Sequence, residues 1–288
     1  MKQDTKSRTS AGEPGLRRVS GRHNPRLKEL RHAFRRGELT SAGECAVEGV
    51  KLVEEAIRCG LRLGGVFVSE SAQVLAGKLL PQINAHVETL LLPDSLFKSL
   101  VPSDTPQGVA ALVRIRHASA DHLLERAGIG PIVVAAGLQD PGNLGTIMRS
   151  AEAFGAAGVF LAEGTVSPYN AKVLRGSAGS IFRLPVVQTP VAQLVPLLRQ
   201  RGVRMVATSS HKGTPLREAN WTLPLAIFIG NEGAGLSRDL MHQMDESVVI
   251  PQAPQVESLN AGVAASIVLY EAARCTHTTE ERKHGESH

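Results

Sequence analysis

From Pro131 onward, short apolar runs alternate with amphipathic stretches. "PIVVAAGL", "GVFLAE", "LPVVQ", "VRMVATSS", "PLAIFIGNE" and "SVVIP" are apolar at consecutive positions, not at every second one. Such runs predict strands covered on both faces. Between them the spacing predicts helices over 143–154, about 171–177, 191–201, 237–244 and 259–275. In the first of these, Leu144, Ile147, Met148, Ala151 and Phe154 share one stripe, and Arg149 points away from it. The alternation predicts an α/β fold with a mostly parallel, doubly wound sheet.

A smaller α/β pattern precedes it. "NPRLKELRHAFRRG" places Leu27, Leu30 and Phe34 at helical spacing, and "VEGVKLVEEAIRCG" reads as a helix closed by Gly60. "GGVFVSE", "HVETLLLP" and "GVAALVRI" read as strands, with helices at "AQVLAGKLLPQI" and "DSLFKSLV". These elements predict a domain over 21–116, followed by a linker over 117–130 and the larger domain over 131–275. Residues 1–20 and 276–288 are polar enough to be read as disordered tails.

Aromatic residues are only 3% of the chain, so the core is expected to be Val, Leu, Ile and Ala. No window approaches 18 consecutive apolar residues and the start lacks an apolar leader segment, which points to a cytoplasmic protein away from membranes. Cys45, Cys59 and Cys275 are scattered without ligand spacing, so reduced thiols and no metal are expected. Charge is uneven. Residues 1–38 carry eleven Lys or Arg against four acidic residues, while the remainder has 21 basic and 23 acidic. Arg22, Arg26, Lys28, Arg31, Arg35 and Arg36 lie in that basic segment. It suits a phosphate backbone, and charge alone fits a solubilising tail equally well.

In open parallel sheets, ligands sit outside the carboxyl ends of the strands. The loops there are "QDPGNLGTIMRSAEAFG", "GNEGAGLS" and "PQAPQVESLNAG". Their polar residues, Asn143, Arg149, Asn231, Glu232, Glu257, Ser258 and Asn260, could converge at one edge. Asn143 and the Ser258–Asn260 stretch also sit where helix caps belong. Gly230, Gly233 and Gly235 are spaced GxxGxG, which is neither the dinucleotide fingerprint nor a phosphate loop. Without His or Cys among these residues, nucleophile-plus-base chemistry has no candidates. Group transfer from a bound cofactor, oriented and polarised by the protein, remains.

The stretches "DPGNLGTIMRSAEAFGAAGVFL", "FIGNEGAGLS" and "VVIPQAPQVESLNAGVAASIVLYEA" closely resemble the SpoU/TrmH branch of the SPOUT RNA methyltransferases, in order and in spacing. "SGRHNPRLKELR", "AVEGVKLVEEAI" and "PSDTPQGVAALV" resemble the substrate-binding domain of that family, an αβα sandwich. The resemblance implies S-adenosylmethionine as cofactor, RNA ribose 2′-O-methylation on 23S-type ribosomal RNA, an obligate homodimer and a deep C-terminal trefoil knot. It places the cofactor against Gly230, Ile250 and Leu259, with Thr208 and Ser209 at its rim. It nominates Arg149 for chemistry, with Asn143, Glu232, Ser258 and Asn260 around it. A guanidinium rarely gives up its proton, so Arg149 is expected to hold a phosphate and stabilise a developing alkoxide. The basic helix gains weight as an RNA-engaging arm.

The alternatives are a tRNA substrate, an antibiotic-resistance enzyme acting on ribosomal RNA, and a non-catalytic RNA-binding homologue. The intact polar set speaks against the last. An ordinary Rossmann methyltransferase would show an acidic-Gly-x-Gly loop where this chain has "QDPGNLG".

Overall fold

The computed structural model describes residues 16–21 and 23–285, with side chains as far as Cys275. It divides into a first unit within residues 1–35 and 40–114 and a second within 36–39 and 115–288. Arg22 and most of the expected N-terminal tail lie outside the described residues.

The first unit contains β1 (Leu16–Arg18), α1 (Pro25–Arg36), β2 (Glu44–Glu48), α2 (Val50–Arg58), β3 (Leu63–Ser69), α3 (Gln73–Ala76), β4 (Thr89–Leu92), α4 (Asp94–Lys98) and β5 (Val109–Arg114). Its sheet has the order β1-β4-β3-β5-β2, with β5 antiparallel to both neighbours. Leu27 and Leu30 of α1 pack with Phe67, Leu90, Phe97 and Leu112 in its core. α2 buries Leu52, Val53 and Ala56.

Three expectations need correction here. The tail read over 1–20 ends in a strand, because Leu16–Arg18 pairs in parallel with β4. Val47 and Glu48 close β2 and do not open a helix, because Gly49, at φ 102°, turns the chain before α2 begins. The helix read over 72–83 is broken into α3 and two 3-10 turns, since Gly77 and Pro81 interrupt it.

The second unit holds α5 (Ala120–Glu125), β6 (Ile132–Ala135), α6 (Pro141–Ala153), β7 (Gly158–Leu161), α7 (Ala171–Ser177), β8 (Val186–Gln188), α8 (Val191–Gln200), β9 (Arg204–Ser209), β10 (Thr214–Pro215), β11 (Leu225–Ile229), α9 (Arg238–Met241), β12 (Glu246–Val249) and α10 (Ala261–Gly285). The expected linker over 117–130 contains α5. Ser119 caps that helix, and Leu123 and Leu124 enter the core beside Ile132, Phe160, Leu194 and Phe228. The segment shows some helical character in the sequence, but standing between two longer patterns it reads as a linker. The expected C-terminal tail is also corrected: α10 continues to Gly285, since the stretch after Cys275 contains no helix breaker before that glycine.

All pairings in this sheet are parallel, in the order β10-β12-β9-β11-β6-β7-β8. The strands β12, β9, β11 and β6 are therefore contiguous, so the loops after all four open at one edge. α6 crosses α7 closely at Gly145 and Gly176, where a Cβ on Gly145 would lie 2.9 Å from the Gly176 Cα. Glycine at this crossing lets α6 sit low against its neighbour and fixes its N-terminus near the β11 loop.

Candidate active site

The site begins at the N-terminus of α6. Asp140 caps this helix through Oδ1, which accepts from the Asn143 backbone N–H at 2.8 Å, and Pro141 suits the first turn. The cap position expected for Asn143 thus belongs to Asp140. Asn143 is buried, and its side-chain amide is free to act elsewhere.

It does so across three loops. Asn143 Nδ2 donates to Glu232 Oε1 at 3.0 Å, and Asn143 Oδ1 accepts from Asn260 Nδ2 at 2.8 Å. Asn260 Oδ1 in turn accepts from the Val263 N–H at 3.2 Å, in the first turn of α10. Each amide faces a donor on one side and an acceptor on the other, so neither can flip without losing both bonds. Glu232 also accepts from the backbone N–H groups of Asp140 at 3.1 Å and Gln139 at 3.3 Å. Burial disfavours its charge, but hydrogen bonds from Asn143, from its own backbone and from Asp140 and Gln139 outweigh that, holding the carboxyl below the usual glutamate range. The positive end of the α6 dipole acts in the same direction.

Asn231 fastens the β11 loop to the end of β6: its Nδ2 donates to Gly137 O at 2.8 Å, and its Oδ1 accepts from Gly233 and Ala234 N–H, each at 3.0 Å. Of the three loop glycines, only Gly235 has a positive φ, 66°. Gly230 is required for a different reason. A Cβ there would lie 2.3 Å from the Gly235 carbonyl carbon, so the loop folds back on its own backbone.

Beside this array lies a cleft of about 270 Å³. Gly230, Ile250, Leu259, Thr208 and Ser209 all line it, as do Glu232 and Ser258. Val248 and Val268 extend its apolar wall. The Thr208 hydroxyl donates to Phe228 O at 3.0 Å, and Ser209 Oγ accepts from Lys212 N–H at 3.3 Å, so both side chains shape the rim through backbone contacts. Three polar lining residues escaped sequence reasoning, Ser210, His211 and Gln252. His211 follows β9, where the strand-end rule could have found it. Gln252 sits inside the quoted "PQAPQVESLNAG" loop without any pattern to single it out.

Arg149 is elsewhere. It is exposed on α6, about 9 Å along the axis from Asn143, outside the cleft lining and without a partner among the described residues. The expected cluster around Arg149 is therefore not assembled within one chain. In the first unit, Arg26 is engaged by Glu29 at 2.9 Å and Glu44 at 3.6 Å, and Arg17 by Glu88 at 2.7 Å. Lys28, Arg31 and Arg35 recur at three- and four-residue spacing along α1, and Arg36 ends it. Among the described residues, no group of three or more His, Cys, Asp or Glu could hold a metal, and no helix is long and apolar enough to cross a membrane.

A parallel sheet with a nucleoside-sized cleft at its carboxyl edge, lined by the Glu232 end of a carboxylate–amide array, suits a cofactor-dependent group-transfer protein. Residues 130–270 match the model of the SpoU rRNA methylase family, and residues 24–111 match the MRM3-like substrate binding domain. The 23S rRNA (guanosine(2553)-2′-O)-methyltransferase RlmP of Bacillus subtilis is 30% identical over 88% of this chain and 98% of that protein. Among solved structures, the SpoU methyltransferase AviRb of Streptomyces viridochromogenes, in complex with the cofactor AdoMet, is 31% identical with a TM-score of 0.77, covering 88% of this chain and 98% of that one. An AdoMet-bound rRNA methyltransferase from Sinorhizobium meliloti is 28% identical with a TM-score of 0.76, covering 91% of this chain and 98% of that one. The chain belongs to the SpoU family of RNA methyltransferases.

The residues present fit the cofactor of that family. Ile250, Leu259 and Val268 offer apolar faces to a flat ring, and Gln252 Oε1 is a buried acceptor with no partner of its own.

Proposed function

We propose that this protein transfers a methyl group from S-adenosylmethionine to a ribose 2′-hydroxyl of ribosomal RNA, of the 23S type. The observation that carries the reading is the array Glu232–Asn143–Asn260, which ties three loops together and holds Glu232 in the lining of the cleft. When bound, S-adenosylmethionine supplies an electrophilic methyl group on a sulfonium centre. The chain's own residues hold and orient. Ile250 and Leu259 pack the adenine faces, and Glu232, fixed by its N–H donors, presents negative charge beside the cleft. Ser258, exposed at the cleft wall, meets the ribose. Arg149 grips an RNA phosphate and stabilises the developing alkoxide through its positive field.

A homodimer belongs to the same reading. Val263 and Tyr270 lie seven residues apart on α10 and are 46% and 56% exposed, with Phe154 edge-on to Tyr270 at 5.8 Å. This exposed apolar face suits a second copy. It also offers a way to bring Arg149, which lies off the cleft of its own chain, into a shared site. The trefoil knot belongs to the same reading, and Gly262 lets α10 pack closely on α6, where an added Cβ would lie 3.1 Å from the Thr146 Cβ. Lys28, Arg31, Arg35 and Arg36 are proposed to contact RNA phosphates, and the protein to work in the cytoplasm.

The test is incubation of the full chain with labelled S-adenosylmethionine and either ribosomal RNA or tRNA, with mapping of the methylated riboses. Methyl groups on 2′-oxygens of 23S-type RNA are expected. Cofactor binding without incorporation into any RNA would show a non-catalytic RNA-binding homologue instead.

A further inference from the structure

Among the described residues, two buried side-chain polar atoms lack a hydrogen-bond partner, Arg204 Nη2 and Gln252 Oε1. They differ in setting. Arg204 begins β9, at the end of the sheet opposite the cleft, and its Nη1 already donates to Glu246 at 2.8 Å. Gln252 lies three residues past β12 and lines the cleft. A buried amide oxygen without a donor is destabilising, because its lost contact with water is not replaced. A ligand bringing an N–H group to this point would replace it.

The chemistry of the cleft narrows which N–H that is. Ile250, two residues before Gln252, together with Val248, Leu259 and Val268, makes an apolar wall suited to a flat heterocycle. A charged ammonium group would be drawn to the carboxylates of Glu232 or Glu257, which also line the cleft, and not to a neutral amide. A neutral exocyclic amine on an aromatic ring matches both the apolar wall and the unpaired acceptor. We propose that Gln252 is a specificity-determining residue, whose Oε1 accepts a hydrogen bond from the 6-amino group of the cofactor's adenine. The inference rests on the reading that the cleft holds S-adenosylmethionine. Its role is recognition of the base, separate from methyl transfer.

Calorimetric titration of the full chain tests it without reference to activity. The ligands are S-adenosylhomocysteine and S-inosylhomocysteine, in which a carbonyl replaces the 6-amino group and sets an acceptor against an acceptor. The unmodified protein is expected to prefer the adenosyl ligand by at least about tenfold. Gln252→Met, which removes the acceptor, is expected to shrink that preference by about tenfold, and Gln252→Glu, which retains an acceptor oxygen, to preserve it. Thermal melting without ligand confirms that the variants fold, and Gln252→Leu replaces the methionine variant if it does not. Failure of the unmodified protein to bind S-adenosylhomocysteine overturns the cofactor reading itself. Equal affinity for the inosyl form in Gln252→Glu, whose oxygens can only accept and cannot turn an N–H to the carbonyl, overturns the role of Gln252 alone. So does a Gln252→Met protein that discriminates as strongly as the original, since the amine would then be read by backbone groups.

Discussion

Two glutamates, one in each unit, are held in contrasting ways. Glu44 lies on β2 and is only 6% exposed. Its partners are close by: the Thr40 hydroxyl at 3.4 Å and Arg26 at 3.6 Å. Its carboxylate also occupies the space over Gly64, where a Cβ would fall 1.9 Å from Oε1. Glu232 is exposed, yet its donors come from Gln139, Asp140 and Asn143, some ninety residues earlier in the chain. The buried carboxylate serves the packing of its own unit. The exposed one fixes loops from distant segments against each other, which is what a site needs and a core does not. Span between partners, more than burial, separates the two roles.

The comparison can be broken by experiment. The largest expected effect is on chemistry. Arg149→Ala should lower methyl transfer by about a thousandfold while S-adenosylhomocysteine affinity and melting temperature hold, because the side chain touches neither core nor cleft. Full activity in that variant would sink its proposed role. Asn143→Asp comes next. It keeps the shape of the side chain but sets a second carboxylate against Glu232, so the rate should fall by about a hundredfold and, because the position is buried, the melting temperature should fall with it.

Glu44→Ala should do the reverse of Arg149→Ala, costing about 2 kcal/mol in denaturant unfolding and leaving the rate of the folded protein within about twofold. A rate collapse at unchanged stability would erase the distinction drawn here. Gly64→Ala, which pushes the Glu44 carboxylate aside, should repeat that pattern at about 1 kcal/mol.

The smallest effect concerns pH. The folded-state pKa of Glu232 is depressed, so its contribution is fully present above the ordinary glutamate range and is lost as pH falls through the lower folded value. Melting curves from pH 6 down to about 3 should show this loss in the unmodified protein and a correspondingly shallower one in Glu232→Gln.

Much of the second unit was legible because its central strands β6, β7 and β11 are buried throughout and read as unbroken apolar runs. Six continuous apolar runs announced β6, β7, β8, β9, β11 and β12, and the strand-end rule pointed to their loops. What stayed hidden has physical reasons. β10 is two residues long and leaves no periodic trace. β2, "ECAVE", carries buried glutamates at both ends, so a hydropathy pattern reads its margins as surface. β1 is recognisable only by the strand it pairs with. At the site, the meeting of Asn143, Glu232 and Asn260 could be anticipated from position. The direction of the Asn143 amide could not, because it depends on Asp140 taking the cap. Gln252 escaped because an unpaired buried oxygen is a property of three-dimensional surroundings, and nothing in the sequence records it.

The array has a consequence in time as well as in space. A ribosome releases the chain from its N-terminus, and Asn143 emerges well before its partners. Glu232 follows 89 residues later and Asn260 117 residues later, with α10 still to come. A nascent chain can therefore build most of the sheet and still lack both the Asn260 donor to Asn143 and the Leu259 wall of the cleft. The site is therefore incomplete until Leu259, Asn260 and the first turn of α10 have been made.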